Sequence, residues 1–511
     1  MKLFAKRSIP IIPILCNHKL QQPYCHIKKI LKLLIVLFWL TTVLLLIYRY
    51  TTVLKPESNT QYLSNAHELL PESKQRWMGI YMNGQKIGFV SSRFRKEIEG
   101  YSVHEEFKMR LKVLDTLQDV STKTSILLSP GLNIRSFIFT LDGVQDIAVE
   151  GKIHNKILTV DINTENNKSR REILLDEVPQ MSPALIPYIL KKGLKTGGKI
   201  EIPMFDPVTL SMQKMVIEIA GKERIIIDNK EVEAFKITGN LKGLQLLMWI
   251  DEHGNELREE SPLGFTLIAE PREKAVRMLS ASPDEMTDFI TYTSVPFNLE
   301  LPDNVSYLRV RIKGADFDGL ELNSGRQTLK GNVLEIIKED IDKQAYKTIP
   351  HTDMERFLEE TPFIQSKNRE IVNLANKIIG QENDPLNMGR LLWAWIFENI
   401  EKTPSITIPS AVDVLRTKKG DCNEHTVLFT ALARSVGLPA RINTGLVYRD
   451  KYFYYHAWPE IFAGRWIAID PTLGQFPADA AHIKLISGDI DKQVALLKVI
   501  NNISLEGLEY R

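Results

Sequence analysis

Three residues near the C-terminus of this 511-residue chain have the types and order of a nucleophilic thiol site: Cys422, His456 and Asp470. In such a site the imidazole takes the thiol proton, and the carboxylate fixes the imidazole's tautomer and stabilises its cation. Their surroundings read GDCNEHTVLFTALARSVGLPARINTGLVY from Gly420 and YYHAWPEIFAGRWIAIDPT from Tyr454.

The flanking residues say which elements must position the three. Val427, Leu428, Ala431, Leu432 and Val436 recur at three- and four-residue steps, which predicts a helix. Asp421 is a suitable N-cap and Gly437-Leu438-Pro439 a suitable stop. Cys422 then lies in the first turn, where unpaired N–H groups and the helix dipole favour thiolate over thiol. The same N–H groups are placed to stabilise an oxyanion on an attacked carbonyl. His456 and Asp470 fall on a predicted hairpin, Tyr454–Phe462 returning through Arg465–Asp470. A two-residue turn at Ala463-Gly464 would put Ala457 opposite Asp470. A three-residue turn, Phe462-Ala463-Gly464 with Gly464 left-handed, puts His456 directly across from Asp470 and is the register expected.

GDC at a helix start, HAW on a strand and W-x-x-x-DPT at a strand end resemble the transglutaminase-like superfamily of papain-like thiol enzymes. The resemblance spans roughly 384–485, about a fifth of the chain. It implies Cys422 as nucleophile, His456 as general base and acid, and Asp470 as orienting carboxylate. It also implies a cysteine helix packed on an antiparallel sheet, and attack on a carboxamide or peptide bond through an acyl-thioester. Water then gives hydrolysis, as in a peptidase or amidase; an amine gives a transamidation crosslink. The calcium loop of the animal crosslinking enzymes is not evident, nor are the paired CxxC motifs of the peptide-N-glycanase type, so neither cofactor nor metal is expected. Two alternatives stand beside this reading. One is a catalytically silent binding or assembly module at a membrane, since a buried cysteine and a strand histidine can be structural. The other is acyl transfer from a thioester donor, as in arylamine acetyltransferases, although no coenzyme-phosphate loop is evident.

Residues 1–56 contain no acidic residue, and the run from Leu33 to Tyr48 carries no charge. With Ile30-Leu31 ahead of Lys32 this reads as a transmembrane signal anchor over 30–50. Basic residues crowd its N-terminal side, so a cytoplasmic tail (1–29) and an extracytoplasmic bulk follow from the positive-inside rule. The expected localisation is a single-pass inner membrane protein with most of the chain periplasmic. Cys16 and Cys25 then face the cytoplasm, and Cys422 is the single exported thiol. Neighbouring His18 and His26 match no zinc spacing. A net charge of +2, without basic runs interleaved with aromatics, argues against nucleic acid.

After a polar linker (51–75), hairpin signals at Asn83-Gly84, Glu99-Gly100, Pro130-Gly131 and Asp142-Gly143 predict an antiparallel β-rich domain over 76–285, a curved sheet or half-barrel. A helix is expected at about 183–192. The β-rich region is a candidate for binding a substrate or an envelope protein partner, and His104, His154 and His253 within it read as isolated. A small β region (286–350) leads to the catalytic domain (351–490), with helices expected at 353–360, 364–379 and 385–400, and a C-terminal tail (491–511). Trp393 and Trp395 read as core residues of the last of these helices. The fold class is α+β, and the expected substrate is a protein or peptide of the cell envelope.

Overall fold

A computed structural model describes residues 72–511 apart from 144–145, 165–167, 194, 242, 278–284, 315–316, 342–353, 405–409, 494–495 and 497–498. The anchor expected at 30–50 and the tail before it lie outside the described residues. Among the described residues no helix is long and apolar enough to cross a membrane.

The described residues are β-rich, and those from Ser73 to Ala269 include one antiparallel sheet of fourteen strands. Strands one to eight, Ser73–Met82 through Lys168–Leu174, meander outward; strands nine to fourteen, Lys199–Asp206 through Phe265–Ala269, meander back. The last strand pairs with the first, Met78 opposite Ala269 and Met82 opposite Phe265. Local turn chemistry makes the hairpins: Asn83 and Gly84 both have positive φ, 49° and 74°, as a two-residue primed turn requires. The sheet also curls. Gln180, after the eighth strand, exchanges backbone bonds of 2.7 and 2.8 Å with Pro203 and Phe205 of the ninth. Phe137 of the fifth strand packs on Phe205 with ring centres 5.3 Å apart. The expected helix is there, Leu185–Lys192, burying Ile189 against Ile202, Ile217, Ile237 and Ile250.

Three departures from the sequence expectations follow. The sheet ends at Ala269 rather than near 285. Only a short 3-10 turn, Glu355–Phe357, stands where a helix over 353–360 was expected. The expected C-terminal tail contains a strand: Ser504–Tyr510 pairs with Tyr307–Lys313 and completes a four-stranded sheet with Gln327–Lys330 and Val333–Ile337. Its alternation of Leu505 and Gly507 facing inward is too short to distinguish from a loop without its partner strand.

The C-terminal part is built around the helix Cys422–Ser435. Its residues from Glu424 to Arg434 are all buried, because it is covered on every side. Arg369–Ile379, Pro385–Asn399 and Ala411–Thr417 pack around it through Ile371, Leu392, Ile396 and Val414. The remaining side meets a sheet in which Tyr452–Phe462 pairs with Ala440–Arg449, and that strand with His482–Ser487. Leu446, Phe453, Ile483 and Leu485 continue from this sheet into a core shared with the four-stranded one.

Candidate active site

Asp421 caps the cysteine helix as expected. Its carboxylate accepts from Asn423 N at 2.8 Å, and Glu424 reaches back to Asp421 N at 2.8 Å, forming a capping box. Cys422 occupies the first helical position and is half-buried. Its helix meets the strand of His456 at Ala457, the residue after that histidine. The same junction is held by Thr426 Oγ1, which donates to Ala457 O at 3.1 Å.

The thiol itself departs from expectation. Burial, followed by the Asp421 carboxylate, pushes Cys422 well above the ordinary thiol range, and the Ala457 backbone only partly offsets this. The helix dipole favours thiolate, but desolvation and the carboxyl groups of Asp421, Glu424 and Asp470 outweigh it. The N–H of Asn423 is also committed to Asp421, so it is not a free oxyanion donor.

His456 and Asp470 come together, with His456 Nε2 2.7 Å from Asp470 Oδ2. The register that brings them there is not the expected one. Phe462 pairs with Trp466 and Glu460 with Ala468, so the turn is Ala463-Gly464-Arg465 with Gly464 at its centre, φ 77°. Continued in that register, Asp470 would stand across from Trp458. Shifting by two residues keeps every side chain on its face, so the parity survives although the partner changes. The strand ends at Ala468. Asp470 and Gln475 then exchange backbone bonds of 2.8 and 2.9 Å around a tight turn, which swings the carboxylate to His456. In that turn Asp470 Oδ1 accepts from Thr472 N and Leu473 N at 2.8 and 2.9 Å. Trp393, expected as core, is half-buried and donates its indole N–H to Asp470 O at 3.1 Å. Trp395 is half-buried under Lys418, and both tryptophans pack against the core around the cysteine helix.

A fourth polar residue, His482, was not singled out in the sequence. It is fully buried, with Nε2 3.0 Å from Asp470 Oδ2 and Nδ1 2.9 Å from Asp479 Oδ1. Trp458 packs edge-on to it at 5.2 Å and parallel to His456 at 6.1 Å. Burial opposes ionisation of Asp470, but His456 and His482 outweigh it and hold its carboxyl far below the usual range. Burial likewise opposes a charged His482, and its bonds to Asp470 and Asp479 overcome that and raise it. The only signals for it in the sequence are a histidine twelve residues past Asp470 and an aspartate three before it. Such spacing is common in any strand entry.

His456, Asp470 and His482 each offer one ligand atom, all within 4.8 Å of one another, which would admit a metal ion. The nitrogen–oxygen separations of 2.7 and 3.0 Å are those of hydrogen bonds, so in this arrangement the three side chains bond to one another.

Residues 372–471 match the family model of the transglutaminase-like superfamily. This part of the chain is a transglutaminase-like domain. An uncharacterized protein of Haemophilus influenzae is 32% identical over 94 residues, which are 17% of this chain and 25% of that one. The chain thus spans about a quarter of the length of the curated relative it matches. Among solved structures, a proposed cysteine protease from Cytophaga hutchinsonii superposes with a TM-score of 0.28 and 17% identity, covering 41% of this chain and 86% of that chain. A β-barrel-like protein from Brucella abortus gives a TM-score of 0.31 and 10% identity, covering 39% of this chain and 95% of that one.

The transglutaminase-like domain depends on close backbone approach at one glycine. Gly445 stands opposite His456 on one side and Lys484 on the other. A Cβ there would lie 2.0 Å from the Ile483 carbonyl oxygen. Gly445→Ala is expected to force the His482 strand away and destabilise the protein by about 3 kcal/mol. A urea midpoint unchanged from the wild type would show that the strands absorb the methyl group.

Proposed function

We propose that this chain is an extracytoplasmic thiol enzyme that cleaves or transfers carboxamide or peptide acyl groups, tethered to the membrane by the apolar segment at 30–50. The observation that carries the reading is His456 bonded at 2.7 Å to the buried Asp470 carboxylate, on the strand whose Ala457 carbonyl accepts from Thr426 of the cysteine helix. His456 takes the thiol proton as the sulfur attacks the carbonyl carbon. The carbon–nitrogen bond then breaks, the amine leaves with the proton from the imidazolium, and an acyl-thioester remains on Cys422. Water or a second amine resolves it, with His456 again acting as base.

The cavities fit an extended polypeptide. One of about 800 Å³ lies between the exposed eighth strand (Lys168–Arg171) and residues 359–368, and Cys422, His456 and Asp470 do not line it. A recess of about 70 Å³ shares Thr361, Phe363 and Asp489 with it and ends at Asn423 and Ala457, which adjoin Cys422 and His456. A peptide lying along the groove would present a small side chain to the recess. The competing reading, a silent binding module, draws support from the raised thiol.

The thiol's direction sets its pH dependence. Because thiolate forms only above the raised value, iodoacetamide labelling of Cys422 in the free protein should be slow at pH 7 and climb only above about pH 8.5, the ordinary thiol value. Acylation by p-nitrophenyl acetate, in contrast, should proceed near neutrality with His456 as base. Intact-mass analysis should find the acetyl group on Cys422 in the wild type, nothing in Cys422→Ala and little in His456→Ala. If no His456-dependent acyl adduct forms with esters or a peptide-amide panel, the silent-module reading stands in its place.

A further inference from the structure

We propose that His482 is a positioning residue held as an imidazolium between Asp470 and Asp479, keeping Asp470 ionised and aimed at His456. The inference rests on the thiol-site reading for its catalytic meaning, but its structural content is independent of it.

The argument starts from hydrogen-bond capacity. A neutral imidazole has one N–H and one lone pair. In His482 both ring nitrogens face carboxylate oxygens, at 3.0 Å to Asp470 and 2.9 Å to Asp479, and the side chain has no exposure to water. A neutral ring would therefore point a lone pair at one carboxylate, with no solvent to intervene. Two protons on the ring satisfy both contacts.

Each carboxylate is also built to remain an anion. Asp470 accepts on Oδ2 from His456 Nε2 and His482 Nε2, and on Oδ1 from Thr472 N and Leu473 N. Asp479 Oδ1 accepts from His482 Nδ1 and Ala481 N, and its Oδ2 accepts from Gln475 Nε2 at 3.2 Å. Gln475 Oε1 in return accepts from Asp479 N at 2.8 Å, and Arg326 Nη2 donates to Asp479 O at 2.5 Å. The charged groups bonded to His482 are Asp470 and Asp479, with His456 6.0 Å away between ring centres; the Arg326 guanidinium on Asp479 O is itself paired with Glu339 at 3.4 Å. Lys338 adds a more distant cation acting on Asp479.

Charge balance gives the arrangement its consequence. Two carboxylates and one imidazolium leave one net negative charge beside His456, the amount needed to stabilise its cation when it takes the thiol proton. Without His482 two buried carboxylates would be left uncompensated, and a proton would be drawn onto the pair or onto His456. Either event removes the free base. His482 is therefore assigned to holding the carboxylate, while the proton transfer belongs to His456.

The test uses the full chain labelled with ring-15N histidine. Both His482 nitrogens, assigned by their loss in His482→Gln, should show imidazolium shifts from pH 5 through pH 8. A pyridine-type nitrogen on His482 at pH 7 would overturn the proposal whatever the enzyme does. The functional arm follows p-nitrophenyl acetate acylation of Cys422 against pH. His482→Gln should move the acid limb to higher pH by about one to two units, the scale of one charge removed at this distance in a protein interior. His482→Gln/Asp479→Asn restores the net charge and should move the limb most of the way back. A single variant that loses activity with an unmoved limb, and no return in the double variant, would reduce His482 to packing. If the wild type shows no His456-dependent acylation, the thiol reading fails while the NMR result still decides the state of His482.

Discussion

Asp470→Asn should lower the proposed acyl transfer by about a thousand- to ten-thousand-fold while leaving the fold in place, the scale seen when a triad carboxylate becomes an amide. The reason is specific to this site. Asp470 Oδ1 accepts two backbone N–H groups, so an amide in its place must turn its oxygen toward Thr472 and Leu473. Its NH2 then occupies the Oδ2 position, where His456 Nε2 and His482 Nε2 both present donors at 2.7 and 3.0 Å. His456 must then move away or take the tautomer that places its proton toward the thiol and its lone pair toward the amide. In neither state can it accept the Cys422 proton. Initial rates of p-nitrophenyl acetate acylation, with a thermal unfolding curve in parallel, measure this. Retention of activity within tenfold of the wild type would mean that Asp470 is a structural anchor of its turn.

The largest expected stability effect is at Glu460, two strand pairs along from the site. Glu460 is 2% exposed and accepts from Arg441 Nη2 and Nε at 2.5 and 2.6 Å. Its Oε2 is also 3.7 Å from the ammonium of Lys484, a residue 1% exposed. Burial opposes the Glu460 carboxylate, and Lys484 with Arg441 more than compensates, holding it below the usual range. Glu460→Ala removes that compensation and leaves Lys484 with Glu321 at 4.0 Å as its nearest carboxylate, at a cost of about 3–5 kcal/mol. The pH dependence has a definite sign. Burial already lowers Lys484, and loss of Glu460 lowers it further. Above its folded value the lysine is neutral in the native protein and charged when unfolded, so the unfolded state binds more protons and stability rises with pH. The variant should therefore recover part of its loss between neutrality and about pH 10, near the unfolded lysine value. Urea midpoints at pH 7 and pH 9.5 test this; a deficit under 1 kcal/mol at pH 7 would show that water reaches Lys484.

How much of the site was legible follows from the range of each physical rule. Asp421 as N-cap, Cys422 in the first turn and Gly437 at the stop are decided within one or two helical turns, and they stand as read. The hairpin register was off by two residues, because Gly464 satisfies a left-handed position equally well at the end or the centre of a three-residue turn. The face was right all the same. Strand alternation depends only on parity, so a two-residue shift keeps the faces, and the turn beyond Ala468 then brings Asp470 to His456.

The thiol shows where such reasoning stops. The helix dipole is a local property and was readable; desolvation depends on what packs against Cys422, and the Tyr452–Phe462 strand, thirty and more residues on, supplies it. His482 and Asp479 were invisible for the same reason. Their role exists only because the His482–Ser487 strand pairs beside Ala440–Arg449 and delivers an imidazole to the back of Asp470. The C-terminal strand Ser504–Tyr510 likewise acquires its identity from Tyr307–Lys313, nearly two hundred residues earlier.

By itself, then, the sequence determined the residue types, their order, the helix that carries Cys422 and the alternation of faces along the strand that carries His456. Those follow from interactions spanning a few residues. Tertiary structure decided the pairing partner of Asp470, the buried histidine behind it, the burial that pushes the thiol upward and the closing of a fourteen-stranded sheet from its last strand onto its first. These depend on which distant surfaces exclude water from one another, and no local pattern encodes that.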